Sequence, residues 1–190
     1  MKRIAIFASG SGTNAKNIIK YFQGNKSAEV VLVLSNNPDA FVLNRASELN
    51  VKTIIFDKDQ LNDPDWGFEN LSNLELDLIV LAGFLWKFPT HLLNMFQNKV
   101  LNIHPALLPK YGGKGMYGTN VHKAVVANRE TESGITIHYV NEHYDEGAII
   151  FQAKCSVLQT DTFEDVAAKI HQLESNHFPE VIQNTLSKNG

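Results

Sequence analysis

Short apolar runs recur along the first half of the chain, and segments with helical spacing separate them. The runs lie at residues 3–8, 30–34, 51–56, 78–82 and 100–104. Between the first three runs, residues 15–24 and 40–49 place apolar side chains three and four positions apart, which is the spacing of a helix that buries one face. Alternation of strands and helices is typical of a mostly parallel sheet with helices on both faces, so the pattern predicts an α/β fold.

The second half of the chain begins with a different pattern. Residues 134–140 alternate apolar and polar side chains, which predicts a half-buried strand, and residues 148–157 predict another strand. The connection at residues 141–147 is short enough for a hairpin. We therefore expect an antiparallel C-terminal hairpin beside the parallel strands.

A long helix is predicted at residues 162–186, with Asp161 as its N-cap and a break or kink at Pro179. Residues 57–67 are polar and contain proline, so we predict a loop there. No repeat, low-complexity tract or linker divides the sequence. The prediction is therefore a single domain over residues 1–190.

The composition of the chain argues against several classes of function. The formal net charge of −3 gives no general basic field for nucleic acid, and no apolar run is long enough to cross a membrane. A single cysteine, Cys155, excludes an internal disulfide framework and fits a reducing compartment. The first apolar run is too short for a signal peptide. We predict a cytoplasmic protein that binds neither nucleic acid nor membrane; the sequence specifies no oligomeric state.

The stretch with the most chemical content is VLNIHPALLPK at residues 100–110. It begins as a buried strand, and Asn102 and His104 are two residues apart, so their side chains point to the same face. Ligands of open α/β sheets bind at the carboxyl ends of strands. An amide and an imidazole at that place are suited to polarise a carbonyl group or to move a proton. The alternative is a buried pair held by backbone hydrogen bonds.

A glycine loop, SGSGTN at residues 9–14, follows the first strand and precedes a predicted helix. Glycines let the backbone approach a ligand, and the N–H groups of a helix N-terminus favour an anion. The loop matches the dinucleotide pattern G-x-G-x-x-G/A, but the acid expected after the second strand is missing, because Ser35 stands there. A single terminal phosphate suits this hydroxyl-rich loop better, and an ordinary glycine turn is the third possibility.

Two further segments lie next to predicted strand ends. GFLWKF at residues 83–88 carries three large rings, which either line a pocket for a flat ligand or belong to the core. The hairpin loop at residues 141–147 is dense in ionisable groups and is either a solvated turn or a way of bringing Asp145 to His104. An adjacent carboxylate raises the pKa of a histidine and orients its ring.

A metal site is the less favoured interpretation. The C-terminal half contains several histidines and acids, but the chain has no H-E-x-x-H segment and no cysteine pair. The spacings match no standard zinc pattern. We therefore predict that no metal is bound.

Three segments together resemble the formyltransferase family that uses 10-formyltetrahydrofolate: LAGF at 81–84, LNIHPALLPKY at 101–111 and DEG at 145–147. The likeness runs from the first strand to the last helix. It implies a Rossmann-like N-terminal half that binds a nucleotide phosphate and a C-terminal half that binds folate and is catalytic. The implied reaction passes the formyl group from 10-formyltetrahydrofolate to the amine of glycinamide ribonucleotide, in de novo purine biosynthesis.

The resemblance also implies roles for individual residues. The catalytic group consists of Asn102, His104 and Asp145. The ribonucleotide side consists of Gly12, Thr13 and Asn14, which hold the phosphate, and of Glu174. The folate side consists of Leu85, Trp86, Lys87, Phe88, Asn102 and Val140. In the expected mechanism the amine attacks the formyl carbon directly, while Asn102 and a His104 kept protonated by Asp145 hydrogen-bond the tetrahedral oxygen.

Departures from the family and competing functions complete the picture. Trp86 stands where the family often has arginine, Glu146 where glycine is common, and His122 is the nearest match to a family histidine near the glycine-rich loop 112–118. A formyltetrahydrofolate hydrolase uses the same three groups but needs no phosphate loop. A non-catalytic nucleotide-binding module needs the loop but not Asn102 and His104 on one face, and a transferase acting on another amine also remains open.

Overall fold

The computed structural model describes residues 1–188, and it contains the strands and helices that the apolar pattern predicts. The strands are β1 (Lys2–Phe7), β2 (Ala28–Ser35), β3 (Lys52–Ile55), β4 (Leu78–Leu81), β5 (Val100–His104), β6 (Glu132–Tyr139) and β7 (Ile149–Ser156). The helices are α1 (Thr13–Asn25), α2 (Phe41–Glu48), α3 (Lys58–Asn62), α4 (Pro64–Leu71), α5 (Thr90–Met95), α6 (Thr119–Ala127) and α7 (Phe163–Lys188). Asn189 and Gly190, the end of the predicted single domain, lie outside the described residues.

The strands form one mixed sheet in the order β3-β2-β1-β4-β5-β6-β7 within residues 1–188. Strands β1 to β5 are parallel, whereas β6 pairs antiparallel with both β5 and β7. The predicted α/β fold with an antiparallel C-terminal hairpin is therefore confirmed. The chain proceeds outward from β1 to β3 and then returns to the other side of β1 as β4. Such a reversal opens a crevice at the carboxyl ends of the two central strands.

Both faces of the sheet are covered, which explains why the central strands are apolar throughout. On one face, α1 and α7 pack on a cluster that includes Ile4, Ile18 and Ile170. On the other face lies an aromatic cluster, which consists of Phe7, Phe56, Trp66, Phe84, Trp86 and Phe88. Each face of the sheet thus has its own hydrophobic core, and both cores extend to the crevice.

The prediction of a loop at residues 57–67 is wrong, because local capping groups begin two short helices there. Asp57 and Gln60 form a reciprocal capping box, with Asp57 Oδ1 accepting from the Gln60 N–H at 2.8 Å. Asp63 caps the next helix, and Pro64 occupies its first turn. Proline is tolerated there since the first N–H groups of a helix have no partner within it. The polar composition of this segment therefore reflects helix starts and not an irregular chain.

Strand β6 is buried on both faces and not half-buried as predicted. Residues 133–138 are all buried, although they alternate in polarity. One face of β6 packs against α7, and residues 106–108 cover the other face, where Thr136 Oγ1 donates to the Ala106 carbonyl at 2.7 Å and accepts from the Leu108 N–H at 3.0 Å. Exposure alternates instead along β7, which is the edge strand.

The predicted N-cap of α7 is wrong, and of the predicted break or kink at Pro179 the break does not occur. Thr162, not Asp161, caps the helix. Thr162 Oγ1 accepts from the Asp165 N–H at 3.2 Å, and the Thr162 N–H donates to Asp165 Oδ2 at 2.8 Å. The helix also continues without a break through Pro179. Proline cannot donate to the carbonyl four residues earlier, and the Asn17 amide of α1 donates to that Ser175 oxygen at 2.9 Å instead. No helix of residues 1–188 is both long and apolar enough to cross a membrane.

This substitute bond predicts a coupling between α1 and α7. Asn17→Ala should lower the free energy of unfolding by about 1 kcal/mol relative to Asn44→Ala, an exposed asparagine of α2 that serves as the matched control. In a Pro179→Ala background, the new N–H at 179 bonds Ser175 itself, so the cost of Asn17→Ala should fall below about 0.5 kcal/mol. Urea unfolding of the double-mutant cycle measures both values. Equal costs in the two backgrounds would contradict the coupling.

Candidate active site

A cavity of about 600 Å³ opens at the carboxyl ends of β1, β4 and β5. Its wall is formed by the glycine loop, by residues 81–88, by the end of β5, by residues 113–118, by the hairpin loop and by α7. These segments are far apart in sequence and meet because the central strands end side by side. The cavity lies where the strand order reverses, which is the usual ligand site of an open α/β sheet.

His104 and Asp145 meet at the floor of this cavity. The His104 side chain is 4% exposed, and its Nδ1 lies 3.5 Å from Asp145 Oδ2. The ring Nε2 lies 2.7 Å from the carbonyl oxygen of Tyr111. A carbonyl only accepts hydrogen bonds, so Nε2 carries a proton and Nδ1 is the nitrogen that faces the carboxylate. The structure thus brings together two of the three residues predicted as catalytic.

Asn102, the third predicted residue, lies beside the same carboxylate. Its Nδ2 is 3.1 Å from His138 Nε2 and 3.5 Å from Asp145 Oδ1. His138 Nδ1 donates to the Tyr139 carbonyl at 2.8 Å, which leaves His138 Nε2 to accept from the amide. The second amide N–H of Asn102 has only the long contact with Asp145. It is therefore available to a substrate oxygen.

His138 is a site residue that sequence reasoning missed. It is 2% exposed and lies directly across the antiparallel ladder from Asn102. Directly opposed residues on neighbouring strands have adjacent side chains. The predicted antiparallel strand over residues 134–140 could have pointed to His138. The register that places His138 opposite Asn102, however, depends on tertiary structure.

The backbone around Asp145 is held in a shape that aims its carboxylate inward. Asp145 has a φ of +56°, and its Oδ2 accepts from the Gly113 N–H at 2.9 Å. A Cβ at Gly147 would lie 1.6 Å from the Tyr139 carbonyl oxygen, so only glycine fits there. Specific backbone contacts therefore fix the conformation of the hairpin loop, which is not merely a solvated turn.

Burial decides the charge state of the pair. Burial lowers the pKa of His104 below 6.5, and Asp145 and the Tyr111 carbonyl offset this only in part. Asp145 thus acts on the pKa of His104 in the predicted direction, but burial outweighs its effect. Burial acts to raise the pKa of Asp145, but the adjacent rings of His138 and His104 and the Gly113 N–H outweigh it and hold that pKa below 3.8.

The glycine loop presents unpaired backbone donors to the cavity. No side chain caps α1, its first turn contains no acid, and Gly12 has a φ of +71°. A Cβ at Gly12 would lie 2.4 Å from Val42, so the tight turn requires glycine. At the end of β2, where a dinucleotide site would have an acid, Ser35 stands instead, and its Oγ donates to the Asn37 carbonyl at 3.2 Å. A helix N-terminus whose first turn contains no acidic residue favours an anion.

Asn14 and Glu174 form a contact that closes this side of the cavity. Asn14 Nδ2 donates to Glu174 Oε2 at 3.0 Å, across 160 positions of sequence. Glu174 is 8% exposed, and its burial raises its pKa above 4.5. The bond occupies the Asn14 amide, so within the predicted phosphate group the backbone of residues 12–14 and the Thr13 hydroxyl remain open.

The predicted folate residues divide between core and cavity. Phe88 is 3% exposed and packs edge-on against Phe7 at a ring distance of 5.2 Å, so it belongs mainly to the core. Leu85 is 47% exposed at the cavity, and its N–H donates to Ser9 Oγ at 3.0 Å. Trp86, Lys87 and Val140 also line the wall. The ring-rich segment therefore contributes both to the core and to the cavity wall, and a flat ligand there stays a prediction.

Two other features bear on the predicted chemistry. No group of three or more histidine, cysteine or acidic side chains is arranged to hold a metal within residues 1–188. His122, in α6, is 4% exposed and its Nδ1 has no hydrogen-bond partner in this part of the chain. Burial and the nearby His171 lower the pKa of His122 from 6.5 to about 4.

Comparison with known proteins is consistent with this geometry. Residues 2–182 match the family model described as "Formyl transferase". The chain is 37% identical over 188 residues to phosphoribosylglycinamide formyltransferase of Haemophilus influenzae, covering 96% of this chain and 86% of that protein. The chloroplastic enzyme of that name from Vigna unguiculata is 36% identical over 189 residues, covering 96% of this chain; the chain spans only 60% of its length.

A solved structure shares the whole architecture. The crystal structure of glycinamide ribonucleotide transformylase 1 from Symbiobacterium toebii superposes with a TM-score of 0.90 at 32% identity. The match covers 99% of this chain and 89% of that one. The likeness therefore includes the C-terminal hairpin and α7 as well as the parallel strands.

The buried state of His122 predicts a pH dependence of stability. Its folded pKa of about 4 lies below the ordinary 6.5, so as pH falls between these values the unfolded chain binds a proton that the folded protein does not. Stability present above pH 6.5 should be lost toward pH 4, by up to about 3 kcal/mol. Urea unfolding should show that His122→Leu loses less free energy of unfolding than wild type as the pH falls from 6.5 to 4. The exposed His143→Gln is the control, and equal pH slopes in all three proteins would contradict the assignment.

Proposed function

Because the chain belongs to the formyl transferase family, and within it to the phosphoribosylglycinamide formyltransferases, we propose that it formylates glycinamide ribonucleotide in de novo purine biosynthesis. The formyl donor is 10-formyltetrahydrofolate, which the family implies as co-substrate. The observation that carries the proposal is the single cavity wall that joins an anion-binding loop to the cluster of Asn102, His104 and Asp145. Two substrates can enter from its two sides and meet at that cluster.

The acceptor side suits a ribonucleotide. The free N–H groups of residues 12–14 and the positive end of α1 receive the phosphate. Glu174, held by Asn14 through one oxygen, has its other oxygen to accept from a ribose hydroxyl or the glycinamide chain. A dinucleotide is disfavoured, because Ser35 occupies the position where an acid would bind the ribose.

The donor side suits a flat ring system. Leu85, Trp86 and Val140 supply apolar wall, while Lys87 is exposed at the same segment. Trp86 is supported from behind by the aromatic cluster, with ring distances of 6.3 Å to Phe56 and 6.5 Å to Phe84. A supported ring keeps its orientation when a ligand stacks on it, which lowers the entropic cost of binding.

The chemistry requires oxygen stabilisation and proton movement. The amine of the acceptor attacks the formyl carbon, a C–N bond forms, and the carbonyl electrons pass to a tetrahedral oxygen. The free N–H of Asn102 donates to that oxygen, an interaction typically worth about 3–4 kcal/mol in a dry site. Collapse returns these electrons to the carbonyl and breaks the bond to the folate nitrogen, which leaves with a proton.

His104 and Asp145 receive the proton that the attacking amine loses. We place the starting His104 in its neutral form, because burial lowers its pKa, and its Nδ1 faces the carboxylate across 3.5 Å. A proton placed between them makes an imidazolium beside a carboxylate, which the buried site stabilises. The Nδ1 proton of this imidazolium is the one supplied to the leaving nitrogen, while the Nε2 proton stays hydrogen-bonded to the Tyr111 carbonyl oxygen. The proposal therefore differs from the sequence-based mechanism, in which His104 is protonated from the start.

The acceptor site separates this proposal from its rivals. A hydrolase acting on the same formyl donor gains nothing from an anion-binding loop joined to Glu174. A non-catalytic nucleotide-binding module gains nothing from the buried His104–Asp145 pair, which costs desolvation energy. Within the proposal, the residue roles, the absence of metal, the lack of nucleic-acid and membrane partners and the cytoplasmic location stay predictions.

Asp145→Asn tests the proton-accepting pair. The substitution keeps the shape but removes the charge that stabilises an imidazolium, so kcat should fall by at least ~100-fold. Glu146→Gln, an exposed acid at the next position, is the matched control and should retain nearly full kcat. Steady-state kinetics with both substrates and circular dichroism of each variant check the result. Full activity in a folded Asp145→Asn protein would remove Asp145 from the mechanism.

Substrate omission tests transferase against hydrolase. 10-Formyltetrahydrofolate alone should release negligible formate, and addition of glycinamide ribonucleotide should give stoichiometric formylated product. Glycinamide riboside, which lacks the phosphate, should react far more slowly because remote binding energy positions the amine. Rapid formate release without ribonucleotide, unchanged by Glu174→Gln, would identify a hydrolase instead.

A further inference from the structure

The cavity wall carries two lysines within residues 1–188, Lys87 and Lys114. Lys87 follows Trp86, which packs with the aromatic cluster. Lys114 lies in a different segment of the wall, and it lines the same cavity as residues 12–14 of the glycine loop.

Lys114 is a permanent positive charge in the cavity wall. It forms no ion pair within the part of the chain that the structure describes, and it is exposed. His122 is held neutral at pH 7 by burial, and Glu174 contributes a carboxyl group. His171 is the remaining titratable neighbour of these two groups. A phosphate dianion bound here would leave the unpaired lysine as its natural counter-charge.

The segment that carries Lys114 also holds the catalytic pair. We name residues 111–118 the covering loop. The Tyr111 carbonyl accepts from His104 at 2.7 Å, and the Gly113 N–H donates to Asp145 at 2.9 Å. Lys114 is the next residue along the chain. Gly113 and Gly115 have φ values of +93° and +88° with open space around them, so the backbone beside Lys114 can adjust.

We propose that Lys114 binds the phosphate group of the acceptor, and that this contact holds the covering loop against His104 and Asp145. The inference rests on the proposed function, because the phosphate belongs to the proposed acceptor. Phosphate binding then serves catalysis as well as affinity: it fixes the backbone groups that orient the imidazole and the carboxylate. Lys114 is a binding and positioning residue and takes no part in proton transfer.

The test compares Lys114→Met with wild type on two acceptors, glycinamide ribonucleotide and glycinamide riboside. With the ribonucleotide, kcat/KM should fall about tenfold to a hundredfold, with a loss in kcat as well as a rise in KM. With the riboside, both proteins should have the same kcat/KM, since there is no phosphate to bind. Lys114→Arg should recover most of the activity. Lys110→Met, which removes an exposed lysine paired with Glu130, is the matched control and should behave as wild type.

Phosphite dianion provides a second, independent measurement. Added to the riboside reaction, it should activate wild type by occupying the phosphate position, and it should not activate Lys114→Met. Equal losses on both acceptors would indicate a merely structural role and overturn the proposal, as would an unchanged Lys114→Met. A rise confined to the KM for 10-formyltetrahydrofolate would place Lys114 on the folate instead. Wild type that fails to formylate the ribonucleotide at all would refute the proposed function itself.

Discussion

The rest of the site depends on burying an imidazole and a carboxylate side by side. Such a pair is stable in the interior only when its other polar atoms are satisfied. Here the satisfying groups are backbone atoms, the Tyr111 carbonyl for His104 and the Gly113 N–H for Asp145. They are present because β5 ends at His104 and the chain then turns back over the strand ends. The catalytic pair and the loop that covers it are therefore one structural unit.

This unit lies at the boundary between two hydrophobic cores. The aromatic cluster supports the proposed folate side of the cleft, and the packing of α1 against α7 supports the proposed acceptor side. The bond from the Leu85 N–H to Ser9 Oγ joins the two sides, and the bond from Asn14 to Glu174 holds α1 against α7 within the acceptor side. A direct transfer between two substrates needs such a rigid frame, because much of its rate comes from holding the amine against the formyl carbon.

Local rules succeeded where the physics is local. Apolar periodicity located the seven strands of residues 1–188, and the two-residue spacing of Asn102 and His104 placed both on one face, since alternation is a property of a single strand. One local feature was nevertheless missed, the capping box of Asp57 and Gln60, and other failures arose where distant residues intervene. Asn17 of α1 replaces the hydrogen bond that Pro179 cannot make in α7. Strand β6 is not half-buried because α7 covers one face and residues 106–108 cover the other.

The sequence by itself therefore determined the fold class, the glycine loop and the strand-end pair, and through family resemblance it predicted the reaction and the role of Asp145. Only the tertiary structure decided that His138 opposes Asn102, that Asn14 bonds Glu174, and that the covering loop satisfies His104 and Asp145. It also decided that the pKa of His104 is lowered by burial although a carboxylate lies beside it. The physical reason is the same in each case: register and desolvation depend on residues brought together from distant parts of the chain, and no local pattern encodes them.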